Sequence, residues 1–179
     1  MNRVPGVDTP VYRIVRGDGR STEALVEAGH YAYAHSCVTS ENFPARPADA
    51  RPACEIVLLG FDRDVTSEEV IARGVELGLE RPRYEDALYF GISYPEVQSE
   101  WPVVFLHDPW FGFFGRRDVI CLWSNAGRRE LGLEGFDDTW SRGYRFAFVL
   151  PLRSPDRSDA PVTGVTGAGE AGSDARTAV

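Results

Sequence analysis

Lysine is absent from this 179-residue chain: the basic residues are 19 arginines, set against 27 acidic residues. The formal net charge of -8 repels nucleic-acid phosphates and anionic lipid headgroups alike, which argues against a general binder of either. Arginine alone also favours planar, bidentate ion pairs over the point contacts that lysine makes. Cysteine is scarce. Cys37, Cys54 and Cys121 are odd in number and show no CxxC spacing, a pattern that fits a reducing cytosol better than a disulfide framework. No apolar run approaches the roughly 18 residues a membrane span needs, and the opening MNRVPGVDTP lacks the apolar stretch of a secretory signal. The glycines around Phe111–Gly115 form neither GxGxxG nor a Walker pattern, so nothing here cradles a phosphate by motif. The expectation is a soluble, cytoplasmic protein with no membrane partner.

What is present is a core. Hydrophobic residues make up 43% of the chain and aromatics 12%, enough for a globular domain. Val11–Arg16 alternates as a half-buried or edge strand, with Tyr12 and Ile14 on one face. Ser21 is placed to cap a short helix ending near Ala28 and Gly29. Ala45–Pro52, with its prolines, reads as an exposed connection. Cys54–Phe61 carries a continuous Ile56–Leu59 run, which predicts a central strand buried on both faces.

Thr66-Ser67-Glu68-Glu69 is a capping-box sequence. The helix it opens carries Val70, Ile71, Val75 and Leu79 at helical spacing, with Gly78 as its stop. A second helix after Pro82 has Tyr84, Leu88 and Ile92 as its apolar stripe. Val103–Leu106 and Val119–Trp123 are short, β-branched, aromatic runs and read as buried strands. Ser124–Arg129 reads as a polar loop and Gly135–Ser141 as another; Tyr144–Leu150 alternates cleanly as the last strand. Because the helices come consecutively rather than alternating with strands, the fold class expected is α+β. It would be a single domain over 11–151 with a mainly antiparallel sheet and two or three helices on one side. From 152 to 179 the composition turns to Gly, Ala, Ser and Pro without aromatics, which predicts a disordered tail.

The ordered series CVTSENFP (Cys37–Pro44), FDRDVTSEEV (Phe61–Val70), GLERP (Gly78–Pro82), YPEVQSEWPVVFL (Tyr94–Leu106), Trp110, FDDTW (Phe136–Trp140) and RFAFV (Arg145–Val149) resembles a family of short uncharacterised bacterial proteins common in uncultivated lineages. The resemblance runs from about Tyr12 to Val149. It implies one compact domain and no particular reaction. Arg83-Tyr84, Trp101 and His107-Asp108 depart from the family pattern, so a site built on His107 and Asp108 would be private to this chain. The aromatic, loop-rich C-terminal part is also similar to C-type-lectin-like folds.

The stretch Trp101–Trp123 holds the residues of greatest functional interest. Between its two strands, Pro-Trp-Phe-Gly-Phe-Phe-Gly (Pro109–Gly115) carries four large aromatics, followed by Arg116 and Arg117. A short connection seldom buries four such rings, and aromatics rimmed by arginine have the composition of an interface hot spot. The expected function is therefore a non-enzymatic interaction or ligand-binding module contacting a protein or small ligand through Trp110, Phe111, Phe113, Phe114, Arg116, Arg117 and Trp140. The competing possibility is that the rings turn inward beneath the Gly135–Trp140 loop; exposure of Trp110 and Phe113 decides between them.

Two other classes remain open. A hydrolase would use Cys37 with His107, oriented by Asp108, or the pair Asp137 and Asp138 beside Trp140. A binder of single-stranded nucleic acid would use Arg116, Arg117, Arg128, Arg129, Arg142 and Arg145 with Trp110, Trp123 and Trp140, although neighbouring acids nearly cancel that charge. His30, His35, Cys37, Cys54, His107, Asp108 and Cys121 do not fall at zinc-site spacings, so no metal and no cofactor are expected.

Overall fold

The computed structural model describes residues 10–46 and 53–151. The predicted tail over 152–179, the opening nine residues and residues 47–52 of the proline-containing connection lie outside the described residues.

Local signals place the elements. β1 (Val11–Val15) is followed by α1 (Thr22–Ala28), where the Ser21 side chain accepts from the Ala24 N–H as predicted. After β2 (Tyr33–Ala34) comes β3 (Ala53–Gly60) and then β4 (Val65–Thr66). Thr66 and Glu69 close the expected capping box at the start of α2 (Ser67–Glu76). That helix stops at Gly78, whose φ is +69°. The Gly78 N–H bonds to the Val75 carbonyl and the Leu79 N–H to that of Gly74, the paired bonds of a Schellman stop. α3 (Tyr84–Ser93) follows, with the Asp86 carboxylate reaching back to the Arg83 N–H and also holding Arg16 at 2.6 Å. A single turn, α4 (Val97–Glu100), leads to β5 (Val103–Phe111). β6 (Arg117–Asn125), β7 (Arg128–Gly135), β8 (Thr139–Trp140) and β9 (Arg145–Val149) complete the chain.

The strands form a seven-stranded sheet in the order β1-β3-β9-β5-β6-β7-β2, with β4 and β8 as a separate two-stranded ribbon. Most pairings are antiparallel, as expected, but β5–β9 and β2–β7 are parallel, so the sheet is mixed. The last strand does not simply add to the others: β9 lies between β3 and β5. β1 is the expected edge strand.

Alternation along these strands separates two cores. Ile56, Leu58, Val103, Phe105, Ile120, Leu122, Ala147 and Val149 face one way, against Leu25, Leu88, Phe90 and Val97 from α1, α3 and α4. Val57, Leu59, Val104, Leu106, Val119, Cys121, Phe146 and Phe148 face the other, where Val70 of α2 and Trp140 cover them. The expectation of helices on one side is thereby corrected. The Leu77–Arg83 connection passes the end of β9, pinned by two reciprocal bonds between Glu80 and Val149, and puts α2 and α3 on opposite faces. A strand with both faces covered gains apolar burial on each, which is why β3, β5 and β6 read as continuous rather than alternating hydrophobic runs.

The expected polar loop over Ser124–Arg129 is also corrected, to a tight hairpin. Ala126 and Gly127 both take positive φ, +48° and +79°, which matches the twist of the flanking strands.

Candidate interaction site on the β5–β6 hairpin

β5 runs further than the sequence suggests, through Phe111, because its register slips rather than ends. Phe105 still faces Ile120, but the next regular pair is Trp110 with Asp118. Pro109 has no N–H to give a ladder, and proline inside a sheet is confined to edges and bulges. The backbone groups freed at this bulge are taken by side chains. Arg81 donates to the carbonyls of Leu106 (2.9 Å) and His107 (2.7 Å), and pairs with Asp108 at 3.2 Å. His107 receives the Ile120 N–H on Nε2 at 3.0 Å, and its Nδ1 lies 2.7 Å from the Asp108 carbonyl. Since an amide N–H can only donate, Nε2 is the bare nitrogen and Nδ1 carries the proton. The ring is buried, and that desolvation lowers its pKa to about 4. His107 is thus a neutral brace for the bulge, with both nitrogens engaged.

Beyond the bulge the hairpin turns at Gly112–Arg116, closed by the Gly112 N–H on the Arg116 carbonyl at 2.9 Å. Phe114 takes φ +63° and Gly115 +75°. The rings do not fold inward: Phe111 is 67% exposed, Phe113 79% and Phe114 108%. Trp110 is half-buried against Phe43, ring centres 5.9 Å apart. Arg116 stands beside the tip, paired to Asp118 at 2.9 Å and 3.8 Å from Asp138. Arg117 lies lower, forked onto Asp137 and stacked 4.6 Å over the Phe136 ring.

Trp140 belongs elsewhere. It is 3% exposed, its indole N–H donating to Ser67 Oγ at 2.9 Å, and Ser67 in turn to the Phe136 carbonyl at 2.6 Å. Its place in an expected surface patch is therefore corrected: β8 carries it inward to cover the α2 side of the sheet.

The Cys37 backbone N–H bonds to His35 Nδ1, and its carbonyl accepts from Asn42, while His107 is committed as above. Burial pushes the Cys54 thiol up to about 12 and the Cys121 thiol far above its usual range. Asp137 is exposed and held below the usual carboxylate range by its bond from Arg117. Asp138 is also exposed and lies nearer Arg116. No group of three or more potential metal ligands occurs among the described residues.

The arginines of the C-terminal half are largely spent inside the domain. Arg129 donates to the carbonyls of Gly29 and Gly91 and to the Gln98 side chain. Arg145 sits 3.9 Å over the Trp101 ring and bonds to the Tyr144 carbonyl.

One feature was missed by the sequence reading. The bulge, the Asn42–Arg46 loop and the start of α3 enclose a pocket of about 410 Å³. Phe43, Tyr84, Trp110 and Phe111 form its apolar walls, and Arg46, Arg83 and Asp108 its charged ones. The only signal in the sequence was Phe43-Pro44 inside an otherwise polar loop. Comparison with protein families, curated proteins and solved structures finds no match for this chain.

Proposed function

We propose that this domain is a non-enzymatic interaction module whose contact surface is the tip of the β5–β6 hairpin. The observation that supports it is the contiguous exposure of Phe111, Phe113 and Phe114 on a tip with Arg116 beside it. Three outward phenylalanines in four residues place apolar area in water that a partner would cover. Phenylalanine and arginine are both enriched at protein interfaces. The frame behind the tip is rigid, since the Arg81 and His107 braces fix the bulge, so little ordering entropy is lost on docking. The partner is read as a protein offering an apolar groove.

The experiment compares the wild-type chain with a Phe113→Ser/Phe114→Ser variant, using a photo-crosslinking residue at position 111 in both. A discrete adduct formed by the wild type and lost from an equally folded variant is the expected result. No adduct with the wild type, or the same adduct with both, would remove the reading.

A further inference from the structure

We infer that the pocket between the Asn42–Arg46 loop and the β5 bulge binds a small aromatic carboxylate, its ring against Trp110 and Tyr84 and its carboxylate on Arg46. This does not rest on the hairpin-tip reading: Phe111 forms only one wall of the pocket, and Phe113 and Phe114 are not part of it.

Size and wall chemistry come first. About 410 Å³ is in the range of small-molecule sites and large enough for one or two fused rings. Phe43, buried at the back, meets Tyr84 edge-on at 5.5 Å and Trp110 at 5.9 Å with a 42° tilt. The walls therefore form an aromatic corner, against which a flat ring can stack offset on one side and edge-on on another. The tyrosine is held in place by its hydroxyl, which donates to the Pro44 carbonyl.

Charge then selects among ring compounds. Among the described residues two guanidinium groups, Arg46 and Arg83, line the pocket, in a protein whose net charge is strongly negative. Among the described residues the one carboxylate in its wall, Asp108, is almost fully exposed and paired with Arg81. An aromatic corner of this kind would also suit an alkylammonium ion. Here the Arg46 guanidinium already lies 5.8 Å over the Tyr84 ring, so a second cation would meet like charge.

Arg46 is well placed to exchange partners. Its contact is with Glu85 at 3.4 Å, and half of its own side chain is exposed. The contact runs from Nε to one carboxylate oxygen only, so the existing ion pair is not a bidentate clamp. A ligand carboxylate approaching from the open side offers the guanidinium the parallel two-point geometry it lacks.

The test is isothermal calorimetry and ligand-observed NMR on the full chain with four probes: benzoate, 1-naphthoate, benzyl alcohol and benzylammonium. The two carboxylates should bind, naphthoate more tightly, and benzylammonium should be about tenfold weaker or undetected. Arg46→Gln should weaken naphthoate about tenfold and leave benzyl alcohol unchanged, as expected for loss of one charge-assisted contact. Trp110→Leu should weaken all the ring compounds. Should that variant fail to fold, a shift of the Trp110 indole N–H on naphthoate addition serves in its place. Phe113→Ser/Phe114→Ser should leave naphthoate affinity intact, which separates this site from the hairpin tip. The inference is overturned if naphthoate does not bind at about 10 mM, if benzylammonium binds as well, or if neither Arg46→Gln nor Trp110→Leu changes affinity.

Discussion

The backbone N–H of Ile120 donates to Nε2 of His107 at 3.0 Å, so a histidine side chain fills the place of a strand carbonyl where β5 bulges away from β6. This bond gives the fold a pH dependence of defined sign. An unfolded histidine titrates near 6.5, whereas burial lowers His107 to about 4. Between those values the unfolded chain binds more protons than the folded one, so stability rises with pH across that window. The contribution, on the order of 3 kcal/mol, is complete above pH 6.5 and is lost as pH falls toward 4. His107→Gln retains an acceptor but has no proton to gain. Urea midpoints at pH 7 and pH 4.5 should differ less for the variant than for the wild type; equal differences would remove the assignment.

Phe114 is a bulky residue at φ +63° with its ring in solvent, a conformation that costs an ordinary side chain about 1 kcal/mol. Phe114→Gly should therefore leave thermal stability unchanged or slightly raised while weakening any contact made by the hairpin tip. A clear fall in the melting temperature would show that the ring packs in the folded state after all.

Arg129 of β7 ties three helices together through neutral acceptors: the Gly29 carbonyl after α1 (2.6 Å), the Gly91 carbonyl in α3 (2.5 Å) and Gln98 Oε1 in α4. Its guanidinium also lies 4.8 Å over the Tyr31 ring. Arg129→Met leaves those acceptors without their donors and should cost about 2–4 kcal/mol by chemical denaturation. Arg129→Lys should recover less than half of that, since an ammonium cannot span the fork. Full recovery with lysine would mean that charge alone matters at this position.

Gly74 and Gly78 differ in what a methyl group would meet. A Cβ at Gly74 would lie 2.1 Å from the ring of Phe148, which is fully buried; at Gly78 nothing lies within 4 Å, but φ is +69°. Gly74→Ala should destabilise through overpacking by about 2–3 kcal/mol, and Gly78→Ala by about 1 kcal/mol through backbone strain alone. Denaturant midpoints for the two variants check the order; the reverse order would mean that α2 can shift away from the sheet.

Several elements were legible because their partner atoms lie a few residues away. The Thr66–Glu69 capping box, the Gly78 stop and the Ser21 cap depend on bonds spanning three to five residues. The Ile56–Leu59 run announced a strand buried on both sides, and alternation in Tyr144–Leu150 separated Phe146 and Phe148 from Ala147 and Val149 as the two cores do. The cluster of aromatics at Pro109–Gly115 was legible, but whether the rings face water or turn inward was open in the sequence, and the exposure of Phe111, Phe113 and Phe114 came only with the structure.

Tertiary structure alone decided the rest. The insertion of β9 between β3 and β5, the crossing that separates α2 from α3, and the burial of Trp140 under Ser67 depend on pairings made across tens of residues. Local propensity carries no record of them. His107 and Asp108 looked like chemistry as neighbours in the chain; the slip in register turned one ring nitrogen toward Ile120 and made the pair a brace. The pocket draws Phe43, Arg46, Tyr84 and Trp110 from three separate segments. The amino-acid sequence determined which faces are apolar and where the chain turns, because those are matters of side-chain type and nearby backbone. Which apolar faces meet, and what they enclose between them, was decided only when the strand order brought distant segments together.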